Sequence, residues 1–303
     1  MHIPDTMLQG SICPVTAVVS AIGIAAAAYY GMKGERPSAT RFASITALIF
    51  AGQMMNFPIM NGTSGHLLGG VLAASLLGTP FGVLSVAMVV IIQSLVFSDG
   101  GVTVLGANLL NMVIIGAGLG GMLRATLVDR WHSARGKILA TAVAAWLSVV
   151  LASFAVSVEL AIDGQIAFSS IVAAMVATHA LIGIGEAAIT VAVCLLIPST
   201  DTVKSQRRQV VIPVTAASII ALLLSPFASG FPDGLEWLAE KYQFLHESAP
   251  AFVGPLPDYS VTFISNEILS TGLSGLIGVV ISFAAAWILH RFICIVVARQ
   301  QIV

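Results

Sequence analysis

The first two residues of the chain, Met1 and His2, offer three nitrogen donors within one short piece of polypeptide. The donors are the α-amine of Met1, the backbone amide nitrogen of His2 and the His2 imidazole, which together close two fused chelate rings on one ion. A metal that displaces the amide proton lies in a square-planar nitrogen field, which Cu²⁺ and Ni²⁺ favour. Co²⁺ fits this field less well, and Zn²⁺ prefers a tetrahedron. The start of the chain therefore predicts a site for a divalent transition metal.

Such a site needs a fourth donor, and His66 is the candidate. It follows a polar loop, 56–65, and it stands at the head of a short apolar segment. Asn56 and Ser64 in this loop are candidates for residues that support the ligands or lie along the metal's path. Polar side chains within a membrane are costly and are functional by default. The plain alternatives are that His66 packs or caps a helix and that the Met-His start arises by chance.

The composition of the 303-residue chain excludes an ordinary soluble domain. Only 9% of the residues are charged and 57% are hydrophobic, whereas soluble domains carry about 25% charged residues. Lipid must therefore cover much of the surface, and the abundance of small and branched aliphatic residues is typical of packed membrane helices. The sequence predicts an all-α, polytopic transmembrane helix bundle in a lipid bilayer. A net charge of −1 with no basic patch gives no indication of nucleic acid as a partner.

Apolar stretches of about membrane-spanning length recur along the chain. About nine are predicted, near 11–31, 39–56, 66–78, 80–97, 104–123, 138–160, 168–197, 210–230 and 267–290. Lys and Arg cluster between segments one and two, five and six, and seven and eight, and they follow the ninth. The positive-inside rule places those regions in the cytoplasm, with the N-terminus outside and the C-terminus inside. His66 and the N-terminus then share the outer side.

Polar side chains in other segments extend the candidate site. His179 and Glu186 are seven residues apart, a spacing that puts them on one helix face, where they fit a role in orienting ligands, a relay along the exit path or a structural pair. Gln93, Asn108 and Asn111 are candidates for hydrogen bonds that orient the ligand histidines. Hydrogen bonds that only join helices are the equal alternative for all three residues.

Three small residues, Ala17, Ala21 and Ala25, recur at intervals of four in the first segment. They give this segment a face that another helix can approach closely, either within the chain or in another subunit. The sequence has no Gly-x-x-x-x-Gly-Lys-Ser/Thr phosphate loop, so transport driven by ATP through that motif would need separate ATPase subunits.

The polar stretch 231–266 separates the last two segments and is predicted to be external. Within it, Pro232-Asp233-Gly234-Leu235-Glu236 predicts the start of a short amphipathic helix with Asp233 as its N-cap. Apolar residues recur at helical spacing beyond that point. The helix is expected to lie on the membrane or on the main bundle.

Several motifs together resemble one known family. They are Met1-His2-Ile3-Pro4-Asp5, Asn56-Phe57-Pro58 with Gly62-Thr63-Ser64-Gly65-His66-Leu67-Leu68-Gly69-Gly70, Asp99-Gly100-Gly101 with Leu105-Gly106-Ala107-Asn108 and Asn111-Met112, and His179-Ala180-Leu181-Ile182-Gly183 with Glu186-Ala187. They resemble the CbiM/NikM family, the substrate-binding (S) components of energy-coupling-factor cobalt and nickel transporters. Pro232-Asp233-Gly234-Leu235-Glu236 and Leu269-Ser270-Thr271-Gly272-Leu273 resemble the PDGLE domain, a counterpart of the small CbiN/NikN subunit.

The resemblance implies a metal-binding membrane domain over 1–205 and a PDGLE domain with two transmembrane helices and an external loop over 206–303. It implies that Met1, His2 and His66 supply the nitrogen ligands of Ni²⁺ or Co²⁺, which is the transported substrate of a protein that is not an enzyme and has no catalytic cofactor. The partners it implies are a CbiQ/NikQ-like transmembrane coupling protein and cytoplasmic CbiO/NikO-like ATPases, at the inner (cytoplasmic) membrane. Thr6 stands where the family usually has Gly, which bears on metal preference.

Two other functions stay open at this point. A self-sufficient secondary transporter or channel would use His179 and Glu186 as a coupling relay through the bundle. A membrane enzyme with a bound metal ranks below both transport hypotheses, because no general base is well placed on the outer side. Nickel and cobalt both remain candidates, and the imported metal could serve cobalamin synthesis or a nickel enzyme.

Overall fold

Helices form most of this chain in the computed structural model, which describes residues 1–5, 7–60, 62–197, 203–244 and 250–300. The departure from the family pattern at Thr6 lies outside the described residues. The α-helices are α1 (Ile12–Lys33), α2 (Ala39–Gln53), α3 (Gly70–Leu77), α4 (Thr79–Ile92), α5 (Leu105–Asn108), α6 (Gly120–Arg130), α7 (Ala134–Ile162), α8 (Phe168–Leu196), α9 (Val203–Ile219), α10 (Gly234–Lys241) and α11 (Glu267–Gln300).

Short segments of other geometry extend or interrupt these helices. Gln93–Phe97 continues α4 as a π-helix, Leu109–Leu119 is a π-helix that joins α5 to α6, and Ile220–Leu224 extends α9 in the same way. Such segments are frequent at functional sites. The described strands are β1 (Phe57–Pro58) and β2 (Ser64–Gly65), which pair antiparallel.

Seven helical stretches in the described part of the chain are long and apolar enough to cross a membrane. They are Ile12–Lys33, Thr79–Phe97, Leu105–Arg130, Ala134–Ile162, Phe168–Leu196, Arg207–Phe227 and Glu267–Ala298. The predicted all-α, polytopic membrane fold is therefore confirmed. The count of nine segments and the orientation of the termini stay predictions, since α2 and α3, with 15 and 8 residues, are shorter than a span needs.

The second predicted segment is a core helix of the bundle. Every residue from 42 to 51 in α2 is buried, because α9 and α11 pack along it together with α4. The third predicted segment is helical only from Gly70 to Leu77, so that His66 precedes the helix instead of starting it. Gly70 lets α3 approach the backbone of Gly116 closely: a Cβ on Gly70 would lie 2.4 Å from the carbonyl carbon of Gly116.

The predicted amphipathic helix is confirmed as α10. Asp233 is its N-cap, and a capping box with Glu236 is complete. The helix lies on the main bundle, against α8, with Leu235 and Leu238 fully buried. A parallel bridge joins Ser64 to Asp233, so the start of α10 is fixed against β2.

Candidate metal centre

The N-terminal residues are threaded into the bundle. The side chains of Met1, His2 and Ile3 are buried. Asn108 forms hydrogen bonds with both main-chain polar groups of Ile3. Its Oδ1 accepts from the Ile3 amide at 2.7 Å, and its Nδ2 donates to the Ile3 carbonyl at 3.0 Å. Gly101 also donates its amide to the Ile3 carbonyl, at 2.9 Å. These bonds set the direction in which the first two residues enter the protein.

Replacing Asn108 by Leu is expected to weaken metal binding at the N-terminus by about tenfold. The change leaves the buried amide of Ile3 without its acceptor, which costs about 1–3 kcal/mol, and it releases the segment that carries the donors. Isothermal titration with Ni²⁺ measures the effect. Asn111→Leu is the control, since Asn111 bonds to Glu159 at 2.8 Å and not to the N-terminal segment. Equal losses of affinity in the two variants would contradict this role for Asn108.

A short hairpin and a buried carboxylate position His66. The paired strands β1 and β2 bring the chain to His66, and Glu186 then accepts from the amides of Leu68 and Gly69 at 2.6 and 2.9 Å. The Nδ1–H of His66 donates to the Leu67 carbonyl at 3.0 Å. This bond leaves the lone pair of Nε2 facing the N-terminus.

Four groups that can bind or attract a metal converge at this point. The Met1 amine contacts Nε2 of His66 and donates to Oδ2 of Asp233 at 2.5 Å. Asp233 Oδ2 lies 3.9 Å from His66 Nε2, and the His2 ring stacks on the His66 ring with a centroid distance of 5.0 Å. All four residues are buried. The structure therefore brings Met1, His2 and His66 together, as the sequence predicts, and adds Asp233.

The His2 imidazole is held by other side chains. Its Nδ1 lies 3.1 Å from a carboxylate oxygen of Asp99, and its Nε2 lies 3.2 Å from the amide oxygen of Gln93. Gln93 in turn donates to the Tyr259 hydroxyl at 3.1 Å. A metal that binds through the His2 ring must therefore replace one of these partners.

Burial favours neutral imidazoles at this site, and the Met1 amine favours an ionised carboxylate. Burial lowers the pKa of His2, although the charge of Asp99 acts in the opposite direction, and burial together with the positive charge of the Met1 amine lowers the pKa of His66 well below its usual value. Burial alone would raise the pKa of Asp233, but the amine and His66 hold it below its usual range. Neutral imidazole is the form that binds metal.

A cavity of about 400 Å³ opens onto these donors. Its lining includes His2, His66, Asn56, Gln53, Asp99, Asp233, Glu236, Asp258 and Tyr259. Several carboxyl side chains line this cavity, and a cleft lined by negative groups attracts cations. Within the described ranges, no group of three or more His, Cys, Asp or Glu side chains is arranged to hold a metal ion.

The remaining predicted residues lie at different distances from these donors. Asn56 lines the cavity. Ser64 donates from its hydroxyl to the Phe231 carbonyl at 2.8 Å, which ties β2 to the segment before α10. His179 bonds through Nδ1 to the Met175 carbonyl at 2.8 Å, and the side-chain amide of Asn111 donates to Glu159 at 2.8 Å.

The small residues of α1 lie on its outer surface. Ala17, Ala21 and Ala25 are exposed and line an open groove together with residues near α5. The backbone of α5 approaches α1 at Ala17, since a Cβ on Gly106 would lie 2.4 Å from the Ala17 nitrogen.

The sequence does not predict that Asp233 and Asp99 lie beside these donors. It predicts only a helix-capping role for Asp233, and capping uses Oδ1, which accepts from the amides of Leu235 and Glu236. The capping geometry leaves Oδ2 free, and that atom meets Met1. The run Asp99-Gly100-Gly101 was a signal for the second carboxylate, because it pairs an acidic residue with glycines that allow close approach of the N-terminus.

Comparisons with known proteins agree with this architecture. Residues 2–203 match the model of the CbiM family, described as the cobalt uptake substrate-specific transmembrane region, and residues 207–294 match the PDGLE domain. The chain is 33% identical to a putative fused nickel transport protein NikMN of Archaeoglobus fulgidus over 301 residues, covering 96% of this chain and 99% of the relative. It is 27% identical to the fused nickel transport protein NikMN of Rhodobacter capsulatus, covering 94% and 95% of the two chains.

A solved structure shares the fold of the larger part. A crystal structure of a transition metal transporter superposes with a TM-score of 0.57 at 28% identity, covering 64% of this chain and 90% of that one. With the family model matched over residues 2–203 and the relatives aligned over nearly the whole chain, the protein belongs to the CbiM family of nickel and cobalt transport proteins and carries a fused PDGLE domain.

Proposed function

We propose that this protein captures Ni²⁺ or Co²⁺ on the outer side of the inner membrane, as the substrate-binding component of an energy-coupling-factor transporter. The ligands are the Met1 amine, the amide nitrogen and imidazole of His2, and Nε2 of His66. The observation that carries the proposal is the contact of the buried Met1 amine with His66 Nε2, with the His2 ring stacked beside them. These groups supply four nitrogen donors from two short pieces of chain.

The donor set favours nickel over cobalt. An amide nitrogen that has lost its proton is a strong planar donor, and d⁸ Ni²⁺ accepts a square-planar field more readily than Co²⁺ does. Two neutral imidazoles, an amine and an amide nitrogen also exclude Mg²⁺ and Ca²⁺, which prefer oxygen ligands.

The proposal divides the chain into a metal-binding domain, 1–205, and a PDGLE domain, 206–303. Its partners are a CbiQ/NikQ-like coupling protein in the membrane and CbiO/NikO-like ATPases in the cytoplasm. The groove along Ala17, Ala21 and Ala25 is the face on which a partner helix could lie, since small residues allow close packing of helices in lipid.

The alternative of a self-sufficient transporter has less support. It requires His179 and Glu186 to exchange protons or ions along the bundle. Both oxygens of Glu186 accept from backbone amides at the loop after His66, and His179 bonds to the carbonyl of the preceding helical turn. These contacts favour structural roles for both residues.

The decisive experiment is uptake of radioactive Ni²⁺ with and without the partner ATPase. Cells that carry the whole transporter are expected to accumulate the ion, and cells with a Walker-motif variant of the ATPase are expected to lose accumulation to background, because this chain has no phosphate loop of its own. Western blots of membrane fractions control for expression. Full uptake with the inactive ATPase would favour the secondary transporter instead.

A further inference from the structure

Asp233 contributes an oxygen that neither helix capping nor the planar nitrogen site uses. Its Oδ1 accepts from the amides of Leu235 and Glu236 at 2.7 and 3.0 Å. Its backbone amide donates to Glu236 at 3.1 Å. The carboxylate is therefore fixed in direction by the start of α10, and Oδ2 is presented to the Met1 amine at 2.5 Å.

We infer that the Met1 amine, His66 Nε2 and Asp233 Oδ2 form an entry site that takes the incoming divalent ion before His2 joins its coordination. The inference rests on the proposed function and deepens it. It gives the PDGLE domain a direct part in metal capture, through one carboxylate of α10.

The three atoms converge on one point, and an ion fits there once the amine moves outward. His66 Nε2 and Asp233 Oδ2 lie 3.9 Å apart, and two donors at a tetrahedral angle, each about 2.0–2.2 Å from an ion, lie about 3.4 Å apart. The amine lies between the two atoms and contacts both. When it moves outward and gives up one ammonium proton, its lone pair faces the same ion as the other two donors, with water completing the shell.

The contacts of the His2 ring indicate the order in which the ligands bind the ion. Its ring bonds to Asp99 and Gln93 and is not free to receive an ion at once. The entry site needs none of these bonds to break. At entry, the ammonium loses one proton to water in the cavity, and the nitrogen lone pair binds the ion. In the second step the His2 amide proton leaves to water, the His2 nitrogens bind, and Asp233 Oδ2 dissociates.

Zn²⁺ is the probe that separates the two steps. It prefers a tetrahedron of mixed nitrogen and oxygen donors, so it is expected to stay at the entry site. Ni²⁺ passes on to the planar nitrogen site, where it gives the yellow absorption band of a square-planar complex. Binding of Zn²⁺ therefore reports on Asp233, and the Ni²⁺ band reports on His2.

Two matched variants test the carboxylate. Asp233→Asn keeps an N-cap of equal quality and removes the charged oxygen. Glu236→Gln removes one negative charge from the same cavity and keeps an acceptor for the Asp233 amide. In the full chain, Asp233→Asn is expected to weaken Zn²⁺ binding at least tenfold and to slow Ni²⁺ association by a similar factor, with the Ni²⁺ band unchanged. Glu236→Gln is expected to change both quantities by less than threefold.

Equal effects of the two variants on Zn²⁺ affinity, or no effect of Asp233→Asn, would overturn the inference. X-ray absorption of the unaltered protein loaded with Zn²⁺ gives a second measurement that does not depend on a variant folding. One imidazole with nitrogen and oxygen donors is expected, and two imidazoles would contradict the entry site. The His2→Ala variant tests the proposed function separately, because a Ni²⁺ band that survives this change refutes the planar chelate and leaves the Zn²⁺ result standing.

Discussion

Adding a single residue before Met1 is expected to abolish tight Ni²⁺ binding. The extension turns the amine into an amide, which is uncharged and a far weaker donor, and moves the new amine away from His2. Met1 is only 3% exposed, so the added residue has no room beside His66. Asp233 also loses its ion pair, and removing one partner of a buried pair costs about 3–5 kcal/mol. We expect the affinity, measured by isothermal titration, to fall more than a hundredfold.

A removable leader supplies the control for this experiment. Cleavage that regenerates the free Met1 amine is expected to restore the affinity of the same preparation, which excludes damage from expression or purification. Thermal unfolding of the extended protein, followed without metal, shows whether the bundle remains folded. Tight Ni²⁺ binding by the extended chain would rule out the amine as a ligand.

His66→Ala is expected to reduce Ni²⁺ affinity by about a hundredfold or more. The change removes the nitrogen donor of the planar site that comes from outside the N-terminal segment, and it also removes the ring on which His2 stacks. Losing a metal ligand is expected to cost more than the 10–100-fold that loss of an outer hydrogen-bond partner costs. Titration in detergent measures the loss, and added imidazole should restore part of the binding by entering the space that His66 leaves.

His290→Ala is the comparison for His66. His290 is also a buried histidine, but it bonds to the Pro37 carbonyl at 2.7 Å, between α1 and α2, and does not line the metal cavity. Its replacement is expected to affect the stability of the bundle and to leave Ni²⁺ affinity in place. If both alanine variants lose the same affinity, His66 is not a specific ligand.

The local parts of the structure were predictable because they depend on neighbouring residues. The capping box of α10 is predictable because Asp233 and Glu236 are three positions apart. The membrane location is predictable because the chain has few charged residues. The nitrogen donors of Met1 and His2 are adjacent in the chain. None of these predictions requires knowledge of how distant segments pack.

The features that the sequence does not predict depend on contacts between residues that are far apart in the chain. Asp233 meets Met1 across 232 positions, and no local pattern encodes that approach. Asp99 and Gln93 set the direction of the His2 ring. The sequence indicates Gln93 as a candidate partner of a ligand histidine, but it does not indicate which histidine Gln93 meets or that Asp99 lies on the other side of the ring. Hydropathy also does not distinguish a helix covered by other helices from one covered by lipid, and for this reason α2 was expected to be an ordinary span.

The protein cover around α2 has a consequence for how the bundle meets the bilayer. A helix of 15 residues is about 22 Å long, shorter than a hydrocarbon core of about 30 Å, and in lipid it would incur a hydrophobic-mismatch cost. Since α9, α11 and α4 surround it, it adapts to them and not to membrane thickness. A change in lipid chain length therefore acts on the longer helices that cover α2, and these helices shield α2 from the change.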